Sequence, residues 1–263
     1  MHTANESLAL RKHRMAISKP NAKIGNGSAF SLTELMVVIA IIGILAALLL
    51  PTLSQAKGRA QRAQCVSNLH QLGVGLQTFL ADHHAYPVLI LSTNAADPGR
   101  TWGGQLDQEG LGHPPTTNYF QNGVWHCPSA KWEGGLPGGN SVWVSYGYND
   151  DYALRDPTNQ FGLQGHWNVV THSFQPIAES EVAVPSDMMA IGEGHDGVFM
   201  RRSLGNFERF GNVVTRHQGK ANVLFCDGHV ESPTVKFLFE DTSDAALSRW
   251  NRDHLPHGDE IYR

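Results

Sequence analysis

An uninterrupted apolar run from Leu35 to Leu50 constrains this chain more than any other feature of its sequence. About 20 apolar residues, each rising about 1.5 Å in a helix, cross the hydrocarbon core of a bilayer. The run and the residues before it, from Phe30 to Glu34, therefore predict one membrane-spanning helix. Pro51 follows directly, and a proline at this point is expected to kink the helix.

Glu34 is the one carboxylate in this stretch, and an ionised acid in a membrane helix is costly. At the centre of a bilayer the cost is about 2.5 to 3.5 kcal/mol, so such a residue indicates a functional site with a partner. The alternative is that Glu34 lies near the helix end, at the level of the lipid headgroups. Position alone does not separate these two explanations.

The residues before the apolar run differ from a secretory signal peptide. The leader carries five basic residues, Arg11, Lys12, Arg14, Lys19 and Lys23. Small residues from Gly25 to Ala29 precede the apolar segment, whereas the cleavage site of a secretory signal follows it. The basic leader favours the cytoplasmic side of the membrane, but Lys57, Arg59 and Arg62 follow the apolar run and weaken this charge argument.

Ala29 and the eleven residues after it resemble the class III signal of type IV pilins and type II secretion pseudopilins; they read Phe30-Ser31-Leu32-Thr33-Glu34-Leu35-Met36-Val37-Val38-Ile39-Ala40. The resemblance implies cleavage by a prepilin peptidase between Ala29 and Phe30, N-methylation of Phe30 and retention of the apolar helix. Many members of the family also carry a helix-loosening proline at the position of Pro51. The chain departs from the family in one respect, because the residue before the cut is nearly always glycine and here is Ala29.

In this family, the carboxylate at the position of Glu34 pairs with the N-terminal amine of a neighbouring subunit. A desolvated amine and carboxylate attract each other far more strongly than in water, and an unpaired group is penalised. Pairing between Glu34 and the Phe30 amine of a neighbour would therefore select the register of assembly. The same two groups lie about one turn apart within one helix, so a pair inside a single subunit stays open.

The pattern after the apolar run predicts an α+β fold of the pilin-like type. Apolar residues recur at three- and four-residue steps from Leu53 to Leu80, so the helix is expected to continue to about His83. Short apolar runs then alternate with Gly, Pro and Asn, which predicts an antiparallel sheet packed on the helix. The expected segments are a cleaved leader at 1–29, the helix at 30–84 and a globular sheet domain at 85–263.

Individual elements of the globular domain are predicted from the same pattern. The expected strands are Tyr86–Leu91, Val142–Tyr148, Val182–Val184, Met188–Ile191, Val198–Met200, Val213–Thr215 and Ala221–Cys226. Asp156 to Trp167 is expected to form a loop. A short helix is expected from Ala245 to Trp250, capped by one of the polar residues just before it.

The C-terminal part contains His217, then nine residues, then Asp227-Gly228. This spacing is similar to the H-X9-D-G motif of a bacterial subgroup of pilin-like proteins. On the residues alone, Asp-Gly between two alternating runs predicts a β-hairpin with a two-residue type I′ turn.

A metal or hydrolase site is the alternative explanation for the same residues. It would use His217, Asp227 and His229, with His195 and Asp196 in support. The sequence contains no H-E-x-x-H or comparable ligand spacing, so no metal site is expected.

Three cysteines suit an oxidising compartment but leave one unpaired. The expected pair is Cys65 with Cys127, which would tie the helix to the loop before Pro128 and leave Cys226 buried. Closing a loop of about 60 residues stabilises a fold by about 4 kcal/mol in the chain-entropy treatment. The two other pairings and fully reduced thiols stay open.

No cofactor is expected, apart from an open question about calcium. Pseudopilins related to the signal described above bind calcium in a C-terminal loop. Asp150 and Asp151, which follow Asn149, offer the oxygen ligands that calcium requires. Solvated loop acids are the alternative explanation for this pair.

Charge and motifs exclude several classes of function. From Phe30 onward the chain carries 15 basic and 23 acidic residues, which argues against nucleic-acid binding. It contains no nucleophile elbow, no phosphate-binding P-loop and no G-x-G-x-x-G after a strand, so no catalytic mechanism is supported.

The resemblance implies a structural subunit of a type IV pilus-like or type II secretion pseudopilus filament. It implies a single pass through the bacterial inner membrane with the globular domain in the periplasm. The expected partners are like or related pilin subunits, the prepilin peptidase, and the secretion or pilus assembly machinery. The alternative is a membrane-anchored extracytoplasmic domain that binds a ligand or metal, or a hydrolase, and uses the helix only as an anchor.

Overall fold

The computed structural model describes residues 30–90, 101–116, 119–121, 123–130, 145–150, 161–168, 170–171, 173–193, 199–200 and 216–258. The leader with Ala29, the predicted strand at 213–215, and Asp151, His195 and Asp196 lie outside these described residues. The chain divides into two units, Met1–Leu50 and Pro51–Arg263.

The long helix α1 spans Leu32–His83 and includes Pro51 within its length. The structure therefore agrees with the predicted continuation to His83, while the kink at Pro51 stays a prediction. In the first unit the apolar side chains of α1 are exposed, from Leu32 at 71 % to Leu50 at 66 %. Among the described residues, α1 is the one helix long and apolar enough to cross a membrane.

In the second unit one face of α1 is buried in the core. The buried positions recur at three- and four-residue steps and are Cys65, Asn68, Leu69, Leu72, Gly73, Gly75, Leu76, Phe79 and Leu80. This is the apolar face that the periodicity predicts. Two glycines on it allow close approach, because a Cβ at Gly73 would lie 2.8 Å from Leu224 Cδ1 and one at Gly75 would lie 2.7 Å from Leu111 Cδ2.

The main sheet has five described strands in the order β5-β1-β4-β6-β7. Their bounds are β1 Tyr146–Asn149, β4 Met189–Glu193, β5 Phe199–Met200, β6 Val223–Phe225 and β7 Val230–Glu231. The pairs β1–β4, β4–β6 and β6–β7 are antiparallel, whereas β1 and β5 are parallel. The predicted α+β class is confirmed, with one parallel pair added at the edge.

Smaller elements complete the described fold. The strands β2 (His166–Asn168) and β3 (Ser173–Gln175) form a separate hairpin. The short helices are α2 (Trp102–Gln105), α3 (Val235–Phe239) and α4 (Asp244–Leu247). A π-helical turn, Leu106–Gly110, follows α2, and a 3-10 turn, Ser248–Trp250, extends α4 to the end of the predicted tail helix.

Both faces of the sheet are buried, and β6 shows this most clearly. Leu224 points into the cluster that contains the buried face of α1, whereas Val223 and Phe225 point into a second cluster. That second cluster includes residues of α3 and Trp250. A strand buried on both sides has a continuous apolar sequence instead of an alternating one, which explains the run from Val223 to Cys226.

Two predicted strands are wrong. Tyr86–Leu91 contains no described strand, because the backbone N–H groups of Tyr86 and Leu89 donate to loop carbonyls of Ile177 and Gln164. Val182–Val184 is likewise not a strand, since it follows the 3-10 turn Glu179–Glu181. In both segments apolar residues are buried without a strand partner.

The predicted loop at 156–167 and the type I′ turn are also corrected by the structure. His166 and Trp167 belong to β2, which pairs with β3. At the β6–β7 connection, Gly228 N–H donates to Phe225 O at 3.0 Å and Phe225 N–H donates to His229 O at 2.9 Å. Gly228 has φ +95°, whereas Asp227 has no positive φ, so this is a three-residue loop with glycine at the left-handed position.

Candidate functional site

The first candidate site lies at the start of α1. Ser31 N–H donates to Glu34 Oε2 at 2.8 Å, and Ser31 and Thr33 join their hydroxyl groups in a hydrogen bond. An acid three residues into a helix that bonds back to the residue before the first turn forms half of a capping box. The isolated chain therefore uses the Glu34 carboxylate to cap its own helix.

The other residues around Glu34 are mostly apolar. Phe30, Thr33, Val37 and Val38 line a shallow open depression together with Glu34. Across the part of the chain that the structure describes, no cationic side chain lies within ion-pair distance of this carboxylate. The acid thus lies on an exposed apolar helix surface, where a partner of opposite charge would have to come from outside the described residues.

The residues of the H-X9-D-G spacing do not form one site. His217 is buried, with its Nε2 2.6 Å from Glu193 Oε1. Asp227 and Gly228 form the β6–β7 turn, where Asp227 Oδ1 lies 2.6 Å from His229 Nδ1. The predicted alternative site of His217, Asp227 and His229 is therefore not assembled.

The turn of the motif packs against α1. Gln77 Nε2 donates to Cys226 O at 2.8 Å, and a Cβ at Gly73 would lie 3.2 Å from Gly228 O. Asp227 and Gly228 thus shape a tight loop that the helix can approach closely.

Cys65 and Cys127 are disulfide-bonded in the structure, with their Cα atoms 5.1 Å apart. Polar contacts hold the same loop on α1: Gln61 Nε2 donates to Pro128 O at 3.1 Å, and Asn68 Nδ2 donates to His126 O at 2.8 Å. Cys226 is a buried free thiol. The pairing agrees with the expected one, and it connects helix and loop as expected.

Glu193 is the residue that sequence reasoning missed. It is fully buried at the end of β4, and it accepts hydrogen bonds from Asn222 N and Asn222 Nδ2, both at 3.1 Å. The position of Glu193, an acid at the end of an apolar strand, could have indicated a buried polar site. Its partner could not be inferred from the sequence, because His217 is 24 residues away.

Two neighbours have shifted pKa values that reflect this buried environment. Burial raises the pKa of Tyr146 well above its usual range, and the charge of Glu193 adds to the shift. Burial lowers the pKa of Arg216, while the charge of Glu193 acts in the opposite direction. Glu193 and Arg216 therefore interact electrostatically inside the domain.

The proposed calcium ligands are only partly described. Asn149 is buried, and its Nδ2 donates to Met189 O at 2.8 Å and to Trp250 O at 3.2 Å. Asp150 is buried as well, at 2 % exposure, and its N–H donates to Met200 O. Calcium binding stays a prediction.

A long helix whose first half exposes apolar side chains, followed by a sheet packed on its second half, defines the pilin-like class of proteins. The family described as "Prokaryotic N-terminal methylation motif" matches residues 26–50, which include Ala29, Phe30 and Glu34. The motif match thus covers the predicted cleavage point and most of the apolar run.

Three curated relatives are each described as "Type II secretion system core protein G". The protein from Escherichia coli (strain K12) is 43 % identical over 58 residues, which is 22 % of this chain and 40 % of the relative. The Aeromonas hydrophila protein is 35 % identical over 99 residues, 33 % of this chain and 69 % of the relative. The Dickeya chrysanthemi protein is 29 % identical over 145 residues, 53 % of this chain and 86 % of the relative.

The chain belongs to the family of type II secretion system core protein G, with the match to the Aeromonas hydrophila protein as the basis. It spans 40 % of the length of the Escherichia coli relative and 69 % of the Aeromonas hydrophila one. No solved structure matches the chain. The H-X9-D-G resemblance is not among these findings and stays a prediction.

Proposed function

We propose that this chain is a structural subunit of a type II secretion pseudopilus and supports protein secretion without catalysing a reaction. Its first 29 residues are removed by a prepilin peptidase, and the new Phe30 amine is methylated. The mature chain is anchored in the bacterial inner membrane by α1, with its sheet domain in the periplasm. Its partners are like or related pilin subunits and the secretion machinery.

The observation that carries this proposal is the position of Glu34. The carboxylate lies at the head of an exposed apolar helix and hydrogen-bonds only to its own helix start among the described residues. Processing before Phe30 creates a cationic amine beside this acid. In a filament, each amine can then satisfy the acid of a neighbouring subunit, where low dielectric makes the attraction strong.

The relatives favour secretion over a surface pilus, since the three described above are type II secretion proteins. The sheet domain is compatible with either filament. We therefore assign the chain to the secretion pseudopilus and retain the pilus-like filament as the nearest alternative.

Glu34→Ala tests the proposal, with Thr33→Ala as the matched control on the same turn. Glu34→Ala is expected to insert in the membrane normally but to lose at least about tenfold in filament incorporation, because about 1.4 kcal/mol of pairing energy corresponds to a factor of ten. Thr33→Ala is expected to assemble normally. Membrane fractionation measures insertion, and immunoblotting of sheared or affinity-purified filaments measures assembly.

Normal incorporation of Glu34→Ala would contradict this role for the acid. Filaments that lack the wild-type chain altogether would favour the alternative of a membrane-tethered binding domain.

A further inference from the structure

Four metal-ligating side chains meet in the core of the second unit. They come from four segments: Cys65 from α1, Cys127 from the loop after the 3-10 turn Gly123–Trp125, Glu193 from the end of β4 and His217 from the turn before β6. One ligand atom of each lies within 4.8 Å of the others, and all four residues are buried. The proposed function of the chain assigns no role to this cluster.

We propose that, with both cysteines as thiols, this Cys65–Cys127–Glu193–His217 cluster binds one divalent metal ion of the zinc class. Cysteine sulfur, histidine nitrogen and carboxylate oxygen are the ligand types of tetrahedral zinc sites. The site would be structural, because all four positions are filled by protein and none faces solvent.

The ligand distances already match part of a tetrahedron. Cys127 Sγ lies 3.5 Å from His217 Nε2 and 3.6 Å from Glu193 Oε1. With metal–sulfur bonds of about 2.3 Å and metal–nitrogen bonds of about 2.0 Å, tetrahedral ligands lie about 3.5 Å apart. His217 Nε2 and Glu193 Oε1, now 2.6 Å apart, need to separate by less than about 1 Å.

Cys127 and Glu193 are held by contacts that do not depend on the sulfur–sulfur bond. Ser145 Oγ accepts a hydrogen bond from Cys127 N at 2.9 Å, and Asn68 holds the adjacent His126 carbonyl on α1. Asn222 donates to both oxygens of Glu193, and Ser232 Oγ in turn donates to Asn222 Oδ1 at 2.7 Å. The sulfurs and the carboxylate therefore stay close together when the cysteines are reduced, as preorganised metal ligands must.

The backbone at His217 supports a specific role for its ring. His217 has φ 48° and ψ 32°, in the left-handed region that residues other than glycine seldom adopt. Such a conformation costs about 1 kcal/mol or more and persists where surrounding structure requires it. Here it directs the imidazole toward Glu193 and Cys127.

Metal binding needs no added reductant, because cysteines are synthesised as thiols. Binding of the divalent ion releases the two thiol protons and forms two metal–thiolate bonds. In the competing route, a thiol–disulfide oxidant removes two electrons and two protons and forms the Cys65–Cys127 bond. The two end states exclude each other, since a disulfide sulfur is no longer a thiolate ligand.

Charge also permits the metal state. Two thiolates and one carboxylate around a divalent cation leave one net negative charge in the core. Arg216 is buried next to His217, and its Nη1 donates to Ser145 O at 3.5 Å, so its positive charge lies near the cluster and offsets that charge. Before Cys65 and Cys127 are oxidised, a bound ion would join α1, the loop that carries Cys127 and the sheet at the place where the disulfide later forms.

Cobalt(II) titration of the full chain in detergent tests the proposal, with Cys226→Ser in all samples so that only Cys65 and Cys127 are thiols. After reduction with a trialkylphosphine, we expect one cobalt ion per chain, a thiolate-to-cobalt charge-transfer band and the visible bands of tetrahedral cobalt. Zinc is expected to displace the cobalt. The oxidised chain, which has the disulfide, is expected to show none of these bands.

His217→Gln and His229→Gln form the matched pair of variants, because His229 lies in the β6–β7 turn outside the cluster. His217→Gln is expected to weaken zinc binding by at least about a hundredfold, since loss of residues that merely support a ligand costs up to about that much. His229→Gln is expected to bind as strongly as the parent.

The behaviour of the reduced chain decides between metal binding and its absence. A reduced chain that keeps its near-ultraviolet circular dichroism but shows no cobalt–thiolate band overturns the proposal, as does equal binding by the His217→Gln chain. A reduced chain that is unfolded and refolds on addition of zinc supports it. A reduced chain that stays unfolded with zinc present overturns it.

Discussion

At the scale of single residues, environment decides what each cysteine and histidine can do. His217 and His229 each face a carboxyl oxygen at 2.6 Å, yet one pair is fully buried and the other is more than a third exposed. Desolvation makes the buried pair dependent on its hydrogen-bonding partners, whereas water supports the exposed pair.

Cys226 is expected to be unreactive in the folded chain. Burial raises the pKa of its thiol to about 12, so almost no thiolate exists at neutral pH, and the thiolate is the nucleophile. Treatment of the native chain with iodoacetamide at pH 8, followed by mass spectrometry, is expected to leave Cys226 unmodified. The same treatment in denaturant should modify it, and rapid labelling of the native chain would show that the thiol is not buried.

At the scale of elements, the packing of α1 on the sheet depends on small residues at defined positions. Gly73 lies against Leu224 of β6 and against the Gly228 carbonyl of the β6–β7 turn. Gly58 lies earlier on the same helix, and a Cβ there would meet nothing within 4 Å. Substitutions at these two glycines therefore distinguish the effect of helix propensity from the effect of close packing.

Gly73→Ala is expected to destabilise the domain, whereas Gly58→Ala is its matched control. Alanine improves helix propensity at both sites by up to about 1 kcal/mol. At Gly73 the added methyl group overlaps the fully buried Leu224 side chain, and such overpacking costs about 1 to 3 kcal/mol. Thermal unfolding of the full chain should give a lower Tm for Gly73→Ala than for Gly58→Ala, and equal values would mean that helix and sheet lie further apart.

A second contact between elements joins the 3-10 turn at Glu179–Glu181 to the C-terminal segment. Glu181 Oε2 lies 2.9 Å from Arg252 Nη1 and 2.9 Å from His166 Nε2 of β2. Ala178 N–H donates to the other oxygen at 2.9 Å. Burial acts to raise the pKa of Glu181, but these hydrogen bonds and the Arg252 charge outweigh it and lower the pKa.

Because the folded-state pKa of Glu181 is depressed, its contribution to stability is present above the unfolded pKa of about 4.3 and is lost as pH falls through the folded value. Glu181→Gln is expected to lower the free energy of unfolding by about 1 kcal/mol at pH 7, because solvent screens a carboxylate that is 35 % exposed. The variant should also lose less stability than the parent below pH 4. Glu179→Gln, which removes an exposed acid two residues away, is the control, and identical pH curves for Glu181→Gln and the parent would contradict the assignment.

Much of the helix was predictable, and less of the sheet. Apolar continuity and then three- and four-residue periodicity each reflect one local cause, and α1 follows both patterns from Leu32 to His83. Tyr86 and Val182 were misassigned because burial against the core gives a loop the same apolar composition as a strand. The β2–β3 pairing was missed because His166 and Trp167 follow a Gly-containing segment that reads as a loop.

The candidate sites also differ in how far the sequence alone predicts them. Phe30 and Glu34 were predictable because both lie in one short motif at the head of the helix. The buried cluster was not, since Glu193 and His217 meet Cys127 across separations of 66 and 90 residues. Only the Cys65–Cys127 half of that cluster could be anticipated, because cysteines are few and pair with each other.

At the scale of the whole molecule, the two units of the chain differ in which residues they expose. The first exposes an apolar helix with one acid at its start, and the second buries its own core. An exposed apolar surface of this length requires lipid or other subunits around it. The family match at residues 26–50 covers the head of that helix, where the proposed processing and assembly occur.

Mass spectrometry of the N-terminal peptide, from chain extracted from membranes of cells with a prepilin peptidase, tests the central claim most directly. We expect a mature chain that begins at Phe30 with a methylated amine, because only cleavage after Ala29 places a cation beside Glu34. A chain that retains its leader, or that begins at another residue, would contradict it.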